Sequence, residues 1–320
     1  MNGRKTYWHL EHLQRKPTDY EIATTKLLYY PSQGFEVQTP GAAWYARYQT
    51  GSPLRCRDWE RFSDPRETTY AKYMALQAEK EAYIDGLLGS VDERGSDTEL
   101  DPAWLEQLSN VFAPLRYPVH GLQMIAAYVG QMAPSGRIAA AALFQTADEL
   151  RRTQHIAMRM RQLQRVQPNF GSTSKELWQN APIWQPWREL VELLLVTYDW
   201  GEALIALNFA VKPMFDELFM TRLADLARHE HDDLLAEILR SLDQDCQWHR
   251  EWSRTLAVML AEDAGNLERI RGWLEKWHPR AQRAVVPIAA ALGLSPGAAE
   301  RADAFCRDYW RAAGLVDAAR

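Results

Sequence analysis

From Asp64-Pro65 onward, apolar side chains return every three or four positions, the spacing that lines one face of an α-helix. Tyr70, Tyr73, Met74, Ile84, Leu87 and Leu88 mark the first such segment, with Asp64 as its candidate cap, and the charged stretch from Asp92 to Asp101 reads as a loop. The pattern then predicts helices over about Pro118 to Met132 and Arg137 to Val166, separated by the turn Ala133-Pro134-Ser135-Gly136. A turn-rich stretch follows. Further helices are expected from Trp187 towards Tyr198, from Trp200 to His229 with a kink at Pro213, and from Asp232 to Glu262. In the last of these Leu235, Ile238, Leu242, Cys246, His249 and Leu256 share one stripe. Leu267 to Trp277, Ala281 to Leu292 and Ala298 to Ala313 close the series. No segment alternates with the period of a strand, and nothing repeats. The expectation is an all-α fold.

Residues 1–65 break this pattern. Pro17, Pro31, Pro40, Pro53 and Pro65, with Gly34, Gly41 and Gly51, forbid a long helix. The same stretch carries Tyr7, Trp8, Tyr20, Tyr29, Tyr30, Phe35, Trp44, Tyr45, Tyr48, Trp59 and Phe62. Rings in such number need burial, either on the chain's own helices or around a partner, and the partner is the favoured reading. The chain thus divides into an aromatic arm, 1–65, and a helical domain, 66–320.

Composition narrows the function. A net charge of −5 leaves no electrostatic footprint for nucleic acid. Apolar runs such as Ile138 to Phe144 fall far short of the ~20 residues that span a bilayer, and the first residues lack the apolar core of a signal peptide. Cys56, Cys246 and Cys306 form neither a disulfide framework nor a zinc pattern. A reduced, cytoplasmic protein is expected. Thirteen Trp and thirteen Tyr suit a large core or a subunit interface.

Helical bundles that hold a di-iron carboxylate centre draw a Glu from each of two helices and Glu-x-x-His from each of two more. The i, i+3 spacing sets both ligands on one face. In this chain every one of the four contributions is altered. Arg137 to Val166 carries Asp148-Glu149-Leu150-Arg151-Arg152, with Arg152 where histidine is wanted, and a guanidinium has no lone pair for a metal. The later helix carries Asp245-Cys246-Gln247-Trp248-His249, with Cys246 in place of glutamate. No Asp or Glu occurs between Glu106 and Asp148, so the Pro118 to Met132 helix offers no carboxylate. Lys212 falls near the fourth position. Glu202 lies ten residues earlier, about 15 Å along an α-helix, while Asp216 is one turn beyond.

An ordered series of motifs then identifies a resemblance. Trp8-His9-Leu10, Lys16-Pro17-Thr18-Asp19-Tyr20, Ser52-Pro53-Leu54 with Asp58-Trp59, Gln131-Met132-Ala133-Pro134 and Gln145-Thr146-Ala147-Asp148 run along its first half. Asp199-Trp200-Gly201-Glu202-Ala203, Val211-Lys212-Pro213-Met214 and Gly272-Trp273-Leu274-Glu275-Lys276-Trp277 complete it. The chain resembles, over nearly its whole length, the β subunit of the hydroxylase component of toluene-type bacterial multicomponent monooxygenases. That resemblance implies a ferritin-like (ribonucleotide-reductase-like) bundle and an α2β2γ2 assembly whose α subunit holds the di-iron centre. It also implies an effector protein, a Rieske-type [2Fe–2S] ferredoxin and an NADH- and FAD-dependent reductase. The enzyme would oxidise aromatic hydrocarbons or small alkenes with O2, and the β chain would be a degenerate copy of the α fold, with no catalytic, cofactor or metal residues of its own.

Two other readings stay open at this point: a free-standing di-iron oxidase or iron store, and a helical interaction protein unrelated to hydrocarbon oxidation. Residue by residue, Glu149 is expected either to pair with Arg152 or Lys212 or to stand exposed. His249 beside Cys246 reads as a core histidine rather than half of a soft-metal site. Glu275-Lys276-Trp277-His278, the one literal Glu-x-x-His, is placed at a helix end before Pro279 and discounted. His229-Glu230-His231 with Asp232 and Asp233 is expected to be a solvated junction, and Arg159, Arg161 and Arg165 a polar face.

Overall fold

The computed structural model describes residues 7–27, 39–295 and 297–316. Tyr29, Tyr30, Pro31, Gly34 and Phe35 of the arm, like residues 1–6, lie outside the described residues. Every regular element among the described residues is helical. The bundle is built from α1 (Tyr70–Arg94), α2 (Pro102–Val111), α3 (Arg116–Gln131), α4 (Gly136–Val166), α5 (Ser174–Asn180), α6 (Gln185–Leu195), α7 (200–229), α8 (Asp233–Leu260), α9 (Ala264–Ala291) and α10 (Ala298–Ala312). Helices α3 and α4 form its tightest pair, and α4, α7 and α8 enclose its centre. Trp104, Trp184, Trp187, Trp200, Trp252 and Trp277 are all fully buried, so much of the tryptophan content serves this chain's own core.

Several boundaries depart from the sequence expectation, each for a physical reason. Thr69, not Asp64, caps α1, its side chain accepting from Lys72 N. Asp64 instead closes the turn before it, accepting from Arg66 N, Thr68 N and Trp248 Nε1. Helix α2 was unexpected. Asp101 caps it, Pro102 opens it, and Trp104, Leu105, Leu108 and Val111 are buried. The short α5 also escaped the pattern. Residues 264–291 form one helix where two were expected. A proline inside a helix costs ~3 kcal/mol, yet Pro279 and Pro287 lie in a helix that buries Ile270, Trp273, Leu274, Trp277, Ala281, Ala284, Val285 and Ile288. Burial at ~1.5–3 kcal/mol for each large side chain outweighs that penalty.

Helix α7 runs through Pro213, but with two wider π segments, Ala206–Val211 before it and Glu217–Arg222 after it. Pro213 has no N–H to offer the carbonyl four residues earlier, and Phe209 O accepts instead from Cys306 Sγ at 3.2 Å and Trp310 Nε1 at 2.7 Å.

The arm rests on its own bundle where it is described. Leu10, Tyr20, Leu54 and Phe62 are buried. Arg137 of α4 donates to Glu60 O, Phe62 O and Thr25 Oγ1, and its guanidinium lies 5.9 Å from the Tyr20 ring. Asn266 holds both the N–H and the carbonyl of Arg55. Tyr7, Trp8 and Trp44 remain exposed.

Gly136 opens α4 against this arm. A Cβ there would lie 2.6 Å from Thr24 O and 2.7 Å from Leu27 Cβ. Gly136→Ala is therefore expected to cost about 1–3 kcal/mol, the usual range for overpacking. It should also speed protease cleavage of the arm; unchanged cleavage with unchanged stability would contradict the contact.

Candidate functional site: a buried charge cluster between three helices

Helix α4 projects Glu149 and Arg152 inward, one turn apart. Helix α7 supplies Lys212 and Asp216, and α8 supplies Cys246, His249 and Arg250. All but Arg250 are nearly or wholly inaccessible. The two cations and two carboxylates interlock. Lys212 Nζ bonds Glu149 Oε1 and lies 3.4 Å from Asp216 Oδ1. Arg152 reaches the same two partners, Nη1 at 3.2 Å from Glu149 Oε2 and Nη2 at 3.3 Å from Asp216 Oδ1. Arg250 Nη1 adds a contact to Asp216 Oδ2 at 3.3 Å. Arg152 also donates to Cys246 Sγ. Glu149 thus pairs with both candidate cations, and the expectation that it might be an exposed carboxylate is overturned. Asp216, one turn past Lys212, also points into the cluster.

A second layer lies toward α1. Asp148 Oδ1 accepts from Tyr73 Oη and Gln77 Nε2, each at 2.7 Å, and Asp148 Oδ2 is 2.9 Å from His249 Nε2. Asp245 is held by Lys80, by Gln77 at 3.1 Å and by Arg151 Nη1 at 2.8 Å, while Arg151 and His155 share Glu81. The sequence pattern did not expose this layer. Asp148 and Asp245 stand beside the altered ligand positions, but their α1 partners lie far away in sequence and carry no local signal.

Electrostatics follow from burial. Burial pushes the carboxyl of Asp216 up, but Lys212, Arg152 and Arg250 together outweigh it and hold the group below its ordinary range. Lys212 is likewise held charged: burial and Arg152 pull it down, and Asp216 and Glu149 more than compensate. Burial, then Lys212 and Arg152, drive His249 well below its usual value, so its imidazole is neutral. Burial raises the Cys246 thiol far above the range where a thiolate forms. Burial and the neighbouring Asp245 push Asp148 upward, while the Tyr73 hydrogen bond opposes them.

This arrangement does not fit a di-iron centre. Anionic oxygens must face the metal, and here Glu149 and Asp216 face an ammonium and two guanidiniums. Among the described residues no three His, Cys, Asp or Glu side chains converge as a metal would require. No side chain in the cluster is placed as an exposed nucleophile or base. Its chemistry is charge neutralisation between helices.

The remaining candidates lie elsewhere. Glu202 bonds Lys276 and Trp277 Nε1, well removed from the cluster. Glu275 is exposed while His278 is buried against Asp303, and both sit within α9 rather than at a helix end. His229 and His231 are exposed as expected, but Asp232 is not: it caps α8 and pairs with Arg159. Arg159 itself is fully buried between Asp97 and Asp232, a correction to the polar face that Arg161 and Arg165 do occupy.

Comparison with known proteins gives consistent results. A family model described as methane/phenol/alkene hydroxylase matches residues 44–264. The β subunit of the hydroxylase component of the toluene-4-monooxygenase system of Ectopseudomonas mendocina is 37% identical, with 90% of each chain covered. The oxygenase component DmpL of phenol 2-monooxygenase from Pseudomonas sp. strain CF600 is 26% identical, over 77% of this chain and 75% of that one. A solved structure of toluene 4-monooxygenase with toluene in its resting active site contains a chain that superposes with a TM-score of 0.87 at 36% identity, covering 92% of this chain and 99% of that one.

Proposed function

The chain belongs to the methane/phenol/alkene hydroxylase family, and from that premise we propose that it is the structural, non-catalytic β subunit of a multicomponent di-iron monooxygenase acting on aromatic hydrocarbons of the toluene type. The carrying observation is the interlocked set Glu149, Arg152, Lys212 and Asp216, where side-chain cations occupy ground that a metal pair would need. In this reading the di-iron centre sits in an α subunit. NADH, FAD and a Rieske [2Fe–2S] cluster sit in the reductase and ferredoxin, and an effector protein completes a cytoplasmic system built on an α2β2γ2 hydroxylase. The aromatic arm, 1–65, contributes to holding the assembly together. A free-standing oxidase is disfavoured because none of the four ligand helices keeps its full set.

An exposed apolar surface supports the need for a partner. Tyr70, Met74 and Tyr83 on α1 and Leu143 and Leu150 on α4 are all solvent-exposed in the isolated chain. Tyr70 and Leu143 line an apolar groove of about 430 Å³ together with Leu27, Ala127 and Ala140. Exposed apolar surface of this kind marks interaction sites. Co-expression with a chain bearing two intact Glu-x-x-His motifs is expected to yield a co-purifying complex. Leu143→Asp is expected to weaken it at least tenfold without changing the β chain's own melting. A complex that forms equally well with Leu143→Asp would place the α subunit elsewhere, and no complex at all would overturn the assignment.

A further inference from the structure

Asp148 is buried without a cation of its own. Its Oδ1 accepts from Tyr73 Oη and Gln77 Nε2 of α1, and its Oδ2 lies 2.9 Å from His249 Nε2 of α8. Asp245 of α8 shares the Gln77 amide with it, and Glu149 follows it on α4. The ammonium and guanidinium groups nearby are already paired. Lys80 and Arg151 hold Asp245, and Arg151 also holds Glu81 beside His155. Lys212, Arg152 and Arg250 hold Glu149, Asp216 and Asp243. Five such cations thus meet five carboxylates without Asp148. An ionised Asp148 would be a surplus negative charge in the interior. His249 points the same way. Its Nδ1 is buried, lacks a hydrogen-bond partner and lies 3.9 Å from Glu149 Oε1. A lone pair on that nitrogen would face an anion, whereas an N–H there is attracted to it. A neutral imidazole carries one N–H, so a proton on Nδ1 leaves Nε2 as an acceptor. The hydrogen in its contact with Asp148 Oδ2 is then the carboxyl's own.

We propose that Asp148 is a neutral carboxylic acid at neutral pH, donating its proton to His249 Nε2 and receiving α1 through Tyr73 and Gln77, so that α1 is seated by a proton-dependent latch. Burial and Asp245 both favour the protonated form. Helix α1 depends on such contacts. Tyr73 and Ile84 are its only fully buried side chains among the described residues, while Lys80, Glu81 and Tyr83 reach the bundle through polar groups. The same helix exposes Tyr70, Met74 and Tyr83, so on the assignment above the latch lies behind a partner-facing surface. As pH rises the proton passes to water, leaving an anion beside Asp245, and the seat of α1 weakens. The sign follows from linkage. A carboxyl whose value folding raises binds its proton more tightly in the folded chain than in the unfolded one. Stability therefore falls as pH climbs from the ordinary carboxyl range through the raised value, by up to about tenfold in the folding constant per pH unit.

The test is Asp148→Asn in the full chain. The amide copies the neutral acid, with its N–H toward His249 and its oxygen toward Tyr73 and Gln77. In urea denaturation from about pH 5 to 8 the variant is expected to fold and to gain on the unsubstituted chain as pH rises, by up to about tenfold in folding constant per unit. Amide exchange over α1, corrected for its intrinsic pH dependence, should quicken with pH in the unsubstituted chain and not in the variant. Infrared spectra at neutral pH should show a protonated-carboxyl C=O band that the variant lacks. A variant that does not fold, or that loses ground as pH rises, would overturn the proposal, because either result means that the site needs the carboxylate. So would a carboxyl band that is missing or unaffected by the substitution, or α1 exchange that responds to pH equally in both chains. No partner takes part, so the outcome is independent of the subunit assignment.

Discussion

Replacing Glu149 with alanine is expected to lower the unfolding free energy by about 3–5 kcal/mol, the range for breaking a buried ion pair by deleting one partner. The residue is fully inaccessible and lies within reach of both Lys212 and Arg152. Without it Asp216 alone would face Lys212, Arg152 and Arg250, leaving the interior with excess positive charge and no water to solvate it. Exchanging Glu149, Arg152, Lys212 and Asp216 together for leucine or methionine should cost far less, and has scope to stabilise by ~1–4 kcal/mol, because no charge is left unpaired. Urea denaturation of both variants measures the contrast. If the single substitution proved the milder of the two, the interlocked geometry would be wrong.

A comparable loss, again about 3–5 kcal/mol, is expected for Arg159→Met. Arg159 donates from Nη1 to Asp97 at 2.7 Å and from Nη2 to Asp232 at 2.9 Å, with its side chain fully buried. Asp232 also caps α8 through Leu235 N and accepts from Trp104 Nε1. One guanidinium thus ties α4 to the turn before α2 and to the junction of α7 with α8. Arg159→Lys should restore less than half of the loss, since a single ammonium lacks the planar fork that reaches both carboxylates. Hydrogen exchange should quicken first over residues 96–111 and at the start of α8. Loss of protection confined to α4 would argue against the three-way tie.

These two clusters also mark how far the sequence could be read. Helix α4 was legible end to end because the turn Ala133-Pro134-Ser135-Gly136 precedes it and its apolar positions keep helical period, and the altered ligand positions were legible because Glu149, Arg152, Cys246 and His249 hold helical spacing. The inward aim of Asp216 was visible only as one turn from Lys212. Arg159 read as surface because charge near Arg161 and Arg165 is ordinarily solvated, and its partners Asp97, in the short 3-10 helix Ser96–Glu99, and Asp232, at a helix junction, lie far from it along the chain. Asp148 and Asp245 acquire meaning only when α1 lays Tyr73, Gln77 and Lys80 against them. A proline misled in the other direction: Pro279 argued for a break that burial along α9 overrides.

Iron content of the chain purified by itself tests the central claim most directly. Reconstituted anaerobically with Fe2+ and then exposed to air, the unsubstituted chain is predicted to retain no stoichiometric iron and to show no oxo-bridged ferric absorption, while its complex with the α subunit shows both. A di-iron chromophore in the isolated chain, formed while Lys212 and Arg152 are intact, would contradict the account.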